Sequence, residues 1–182
     1  MKIKELKLNH IDYKPLLLSL FIIIIDQITK IIIVKKIPIW TYPASPNRIR
    51  VIGDFLSFIH VRNLGAGFSF GADYTGFLRA LLIFILPILV MLVVFYAVIG
   101  GREKFKFTSG EVYFLSLILG GGIGTLIDRI FRKDGVVDFI SVKLYGFLGM
   151  EYWPTFNVSD SSVVIGVLGM FILYTIHSIK RK

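Results

Sequence analysis

The chain has 182 residues, 55% of them hydrophobic, a formal net charge of +9 and no cysteine. A soluble domain of this length has too little interior for so much apolar surface, so the bilayer is the expected solvent. Without cysteine there is no disulfide framework, thiolate nucleophile or cysteine-based metal site. The positive charge does not call for nucleic acid, because in a membrane chain it reflects Lys and Arg that flank the spans, meet anionic lipid and fix orientation.

Four segments reach the roughly twenty residues that cross a hydrocarbon core. They run from about Leu16 to Val34, Phe77 to Ile99, Glu111 to Phe131 and Ser161 to Ile179. The first is long, and no small-x-small site follows it before Lys35, so it reads as a retained span rather than a cleaved leader. An even number of spans puts both termini on one side. Lys2, Lys4, Lys7 and Lys14 precede the first span, Arg102, Lys104 and Lys106 fill the short loop between the second and third, and Lys180 to Lys182 follow the fourth. All three clusters fall on one side, which the positive-inside rule assigns to the cytoplasm. The opposite loops also carry Lys and Arg, so the bias is moderate.

The outward loop from about Ile37 to Gly76 is not a linker. Val51-Ile52 and the run Phe55 to Val61 have strand propensity and partial alternation, and Gly65, Gly67 and Gly71 mark bends after them. A small extracytoplasmic sheet over the membrane surface is expected, with Trp40, Tyr42, Phe68 and Phe70 at the headgroup level. The second outward loop, from about Arg132 to Asp160, forms the other half of that face, and its Tyr152-Trp153-Pro154 suits an interface. The expected class is an α-helical membrane protein of four transmembrane helices with a small extracytoplasmic β-sheet, one domain over 1–182.

Ionisable residues inside spans are expensive and need a reason. Asp26 and Lys30 lie four apart on one helix face and can pair, as a self-neutralised ion pair or as part of a site. Asp128 and Arg129 close the third span, either as interfacial polar residues or with the Arg129 fork aimed at a carbonyl or carboxylate. Asn63 before Gly65 reads as a turn, and Gly120 to Gly124 as a close helix contact. His10, His60 and His177 are scattered without helical pairing, so a histidine metal site is not expected and interfacial positions are.

Asp138 and Asp160 stand at the edges of membrane-length segments. Asp160 can be an N-cap and Asp138 an ordinary loop carboxylate. Together with Asn63, Asn157 and Arg129, all expected on the outward side, capping alone does not account for them. Two carboxylates held close share one proton and can activate a water. A relay of Asp26, Lys30 and Asp128 in a small proton or ion channel is the competing reading, and a membrane scaffold built on the glycine-rich third span is another.

The chain resembles the lipoprotein signal peptidase (signal peptidase II) family of the bacterial inner membrane over its whole length. The blocks that carry the likeness are Asp26-Gln27-x-Thr29-Lys30, Asn63-x-Gly65-x-x-Phe68, Gly124-x-x-x-Asp128-Arg129, Val136-Val137-Asp138-Phe139 and Phe156-Asn157-x-x-Asp160. The resemblance implies an aspartic endopeptidase that cuts a diacylglyceryl-modified prolipoprotein just before its lipidated cysteine, near the outer face of the membrane. It makes Asp138 and Asp160 the catalytic pair and gives Asn63, Gly65, Phe68, Thr125, Asp128, Arg129, Asn157, Asp26 and Lys30 supporting or substrate-binding places. It calls for no metal and no cofactor, membrane lipids as surroundings, a monomer, and a site open to globomycin. In this reading Phe68 and nearby aromatics clamp the lipidated substrate. Two positions depart from the family's pattern. Thr125 stands where Asn is usual and loses that amide's paired donor and acceptor, and Ser159 replaces a usual Ala.

Overall fold

The computed structural model describes residues 13–40, 47–65 and 74–180. Four long helices make up most of it: α1 (Lys14–Lys36), α2 (Gly76–Gly100), α3 (Ser109–Phe131) and α4 (Val158–Lys180). A helix of 23 residues is about 34 Å long at 1.5 Å per residue, enough to cross a hydrocarbon core. Within α2 the stretch Leu81–Ile85 winds as π-helix just before Pro87, whose missing N–H removes the regular bond back to the Ile83 carbonyl.

The third helix is central and packs against α1, α2 and α4. Apolar attraction cannot drive helices together in lipid, so close packing and hydrogen bonds across helices take that role. The Ser19 hydroxyl donates to the Ser116 carbonyl at 2.8 Å and the Ser162 hydroxyl to the Leu117 carbonyl at 2.9 Å. Gly124 lies against α1 and α4 so closely that a Cβ there would meet the Ser159 hydroxyl and stand 2.9 Å from the Asp26 carboxylate. Thr108 starts α3 with a capping box: Glu111 accepts the Thr108 backbone N–H at 2.7 Å, and the Thr108 hydroxyl accepts from Glu111.

The sheet lies at one end of the bundle. Strands β1 (Ile49–Ile52), β2 (Leu56–Asn63) and β3 (Val136–Val142) run antiparallel in that order. The first two fall where strand propensity places them. The third is a finding, since Asp138 reads in the sequence as a loop residue. It is a strand because Gly135, at φ +94°, turns the chain back after α3 against the Asn63 carbonyl, where a Cβ has no room. In the register, Val61 stands opposite Asp138 and Asn63 opposite Val136, with a bulge between Phe58 and Val61. His60, inside that bulge, is buried rather than interfacial, and one ring nitrogen lies 2.9 Å from the Ile37 carbonyl.

Candidate active site

Alternation along β3 decides which way its carboxylate faces. Val137 and Phe139 pack with Ile33 and Ile37 at the end of α1, and burying two such side chains contributes about 2–3 kcal/mol each. Asp138 is therefore held on the opposite face of the strand. There it lines a cavity of about 720 Å³ with Arg62, Asn63, Trp153 and Asp160, above an apolar wall of Val164 and Ile165.

Asp160 enters the same cavity from the first turn of α4. Asn157 is the capping residue here, so the alternative reading of Asp160 as the N-cap does not hold. The Asn157 side-chain oxygen accepts the Asp160 N–H at 2.9 Å, and Asp160 Oδ2 accepts the Asn157 N–H at 3.1 Å. That reciprocal box leaves the other Asp160 oxygen free of the cap. The same Asn157 amide donates to Asp138 Oδ1 at 2.7 Å, while Asn63 donates to Asp138 Oδ2 at 3.0 Å. Both donors are thus spent on the carboxylate, where sequence reasoning allowed them to face a substrate. Burial, and next the charge of Asp160, push the Asp138 carboxyl up to about 6 against the pull of the two amides.

Beneath the pair is a second, closed cluster. Asp26, Lys30 and Asp128 are all 0% exposed, so Asp128 is not the surface residue its place at the end of a span allowed. Lys30 Nζ lies 2.7 Å from Asp26 Oδ2 and 3.0 Å from Asp128 Oδ2. Each carboxylate also reaches one strand or helix of the site. Asp26 Oδ1 accepts the Ser159 N–H at 3.0 Å and Asp128 Oδ2 accepts the Val137 N–H at 3.1 Å. Lys30 therefore joins the backbone one residue before Asp160 to the backbone one residue before Asp138.

Two members of this cluster were missed as site residues. Gln27 Nε2 lies 3.1 Å from Asp26 Oδ2 and from Asp128 Oδ1, and Arg132 Nε lies 2.9 Å from Asp128 Oδ1. The four-residue spacing of Asp128 and Arg132 is the same signal that marks Asp26 and Lys30, and it could have found Arg132. Two cations and two carboxylates leave the cluster neutral, as burial at membrane depth requires.

Arg129 donates to the Gly65 carbonyl at 2.8 Å, and the Gly65 N–H donates to Asn63 Oδ1 at 3.0 Å. Arg129 thereby fixes the point where the chain leaves β2. Thr125 is half-buried on α3 and makes no side-chain hydrogen bond among the described residues. Phe68, the expected clamp, lies outside the described residues, as do Tyr42, Phe70 and His10.

The family model for signal peptidase (SPase) II matches residues 18–177. A lipoprotein signal peptidase of Treponema denticola is 42% identical over 170 residues, 93% of each chain, and one of Borrelia hermsii is 42% identical over 153 residues, 84% of each. Among solved structures, a bacterial membrane enzyme determined by the in meso method at 2.3 Å resolution superposes with a TM-score of 0.75 at 28% identity, covering 95% of this chain and 96% of that one. A second, at 1.9 Å resolution, gives a TM-score of 0.68 at 29% identity over 88% and 91%.

Proposed function

The chain belongs to the signal peptidase (SPase) II family, and from that premise we propose that this multi-pass protease of the bacterial inner membrane removes signal peptides from prolipoproteins by aspartic catalysis. Asp138 and Asp160 are the reacting pair. The observation that carries this reading is that both carboxylates line one cavity and accept from the same residue, Asp138 from the Asn157 side-chain amide and Asp160 from the Asn157 backbone N–H.

The two aspartates have different surroundings, and that difference assigns their roles. In this reading Asp160, which accepts a backbone N–H in the first turn of α4, is the ionised partner. Asp138, pushed up to about 6, is the partner that keeps the shared proton, and the dry substrate complex holds it there more firmly. Asp160 takes a proton from a water as that water attacks the scissile carbonyl carbon. Asp138 gives its proton to the carbonyl oxygen. When the tetrahedral intermediate collapses, the C–N bond breaks, Asp160 passes its proton to the leaving amine and Asp138 recovers its own from the hydroxyl. Water plus peptide thus becomes acid plus amine, and the dyad returns to its starting state. Asn63 and Asn157 act as positioning residues that hold Asp138. Lys30, Asp26 and Asp128 hold the two chain segments that carry the pair.

The substrate is cut just before a diacylglyceryl-modified cysteine, with the cavity near the outer face and both termini in the cytoplasm. The apolar wall of Val164 and Ile165 beside the carboxylates suits acyl chains next to a peptide bond. Polar groups at that depth also satisfy the backbone of an unwound signal helix. The protein acts as a monomer. The channel reading is disfavoured because Asp26 and Asp128 are neutralised by Lys30 and Arg132. The test is incubation of the reconstituted protein with one prolipoprotein in lipidated and unlipidated forms, with mass analysis of the products. Release of a fragment beginning at the lipidated cysteine, from the lipidated form alone, is expected. Equal cleavage of both forms, or a cut elsewhere, refutes the specificity.

A further inference from the structure

Beyond Val142 the chain makes a second, shorter hairpin. Lys143 pairs with Tyr152 as an isolated bridge, and Leu144 donates to the Glu151 carbonyl at 2.8 Å. The tip from Tyr145 to Met150 is closed by bonds of Gly146 to Met150 at 3.2 Å and of Phe147 to Leu144 at 3.0 Å. This is built structure, yet Tyr145, Phe147 and Leu148 are 62%, 66% and 72% exposed. Tyr145 and Leu148 also hold φ of +54°, which side chains other than glycine rarely adopt. The fold accepts that strain and turns apolar side chains away from itself.

The base of the hairpin carries the residues that favour a lipid headgroup layer. The Lys143 amine lies 5.0 Å from the Tyr145 ring centre and 3.3 Å from Glu151. Trp153 follows directly, lining the cavity beside Val164 and Ile165, which are more than half exposed on the lipid-facing side of α4. The apolar surface is therefore continuous from the membrane-facing wall of α4, through Trp153, to the hairpin. An apolar tip above a collar of Tyr, Trp and Lys is the order of groups met on going from acyl chain to headgroup.

We propose that the 143–152 hairpin is a lipid anchor, its Tyr145, Phe147 and Leu148 tip seated in the leaflet at the sheet end of the bundle, holding the cavity mouth against that leaflet. The occupant is phospholipid, because the patch continues the belt that the spans already present to acyl chains. This placement does not depend on which residues carry out cleavage.

The chain has no cysteine, so a single introduced cysteine can carry a nitroxide label without other changes. Leu148→Cys and, as a second site, Phe147→Cys are labelled in the full chain reconstituted into phosphatidylcholine–phosphatidylglycerol vesicles. Collision with oxygen and with a water-soluble nickel chelate is then measured by power saturation. Phe171→Cys on the lipid face of α4 and Glu103→Cys in the short exposed loop after α2 calibrate the two extremes. The anchor predicts high oxygen and several-fold lower chelate collision at 147 and 148 than at 103. Chelate collision equal to that at 103 places the tip in water and overturns the proposal. Shielding from both probes means the tip is covered by protein, a second copy included, and overturns it equally.

Discussion

Asn157 donates its side-chain amide to Asp138 at 2.7 Å while the oxygen of that amide receives the backbone N–H of Asp160 at 2.9 Å. One buried side chain thus sets the strand carboxylate relative to the helix carboxylate. Asn157→Ser keeps an oxygen able to cap α4 but loses the donor to Asp138. A hydrogen bond contributes about 0.5–1.5 kcal/mol, which corresponds to a loss of roughly two- to ten-fold in kcat. KM for the lipidated substrate should change little. A change in KM alone would show that Asn157 binds substrate instead.

Lys30 is the tie between the two carrier segments. Lys30→Met leaves two buried carboxylates with only Arg132 and amide partners, and breaking a buried pair this way costs about 3–5 kcal/mol. The thermal midpoint in detergent should fall sharply. Adding Asp26→Asn should recover part of the loss, because it removes one of the orphaned charges. A double variant less stable than Lys30→Met would mean that Asp26 is held by the Ser159 N–H more than by Lys30.

The Asp138 carboxyl, at about 6, gives kcat/KM a falling alkaline limb, since this ratio reports groups of the free enzyme. The sign for a neighbour follows from the hydrogen bond. Asn63 donates to the ionised form and holds the titration down. Asn63→Ala should therefore move the limb to higher pH while lowering the plateau. A limb that moves to lower pH would contradict the assignment of Asp138 as the proton holder.

Gly124 leaves room for Asp26 and Ser159 between α1, α3 and α4. A Cβ at 124 would stand 2.9 Å from Asp26 Oδ2 and meet the Ser159 hydroxyl. Overpacking of this kind costs typically about 1–3 kcal/mol. The Ser159 hydroxyl is buried without a hydrogen-bond partner among the described residues, so Ser159→Ala should be tolerated alone and should partly rescue Gly124→Ala. Both effects are read from the thermal midpoint.

The four helices and the presence of a small sheet were legible because hydropathy over some twenty residues and alternation in Phe55 to Val61 are local signals. Strand β3 was not, since Val136 to Val142 is short, buried on both faces, and set by pairing with the distant β2, from Asn63 opposite Val136 to Leu56 opposite Val142. The Asp26–Lys30 spacing announced a pair but not its reach, because Asp128, Val137 and Ser159 arrive from three other segments. Asp160 looked like a cap because the capping box reads almost the same from either end, and only the direction of its two hydrogen bonds shows that Asn157 is the cap. The hairpin at 143–152 had no periodicity to betray it, although Gly146 and Gly149, both at positive φ, are ordinary turn signals.

The central claim is tested most directly by a gel-shift assay of a lipidated prolipoprotein with the wild-type protein, Asp138→Asn and Asp160→Asn, each checked for insertion and thermal stability. Loss of processing in both variants, with the folded protein retained, is the predicted result. Processing near the wild-type rate by either variant would contradict a shared-proton carboxylate pair at this site.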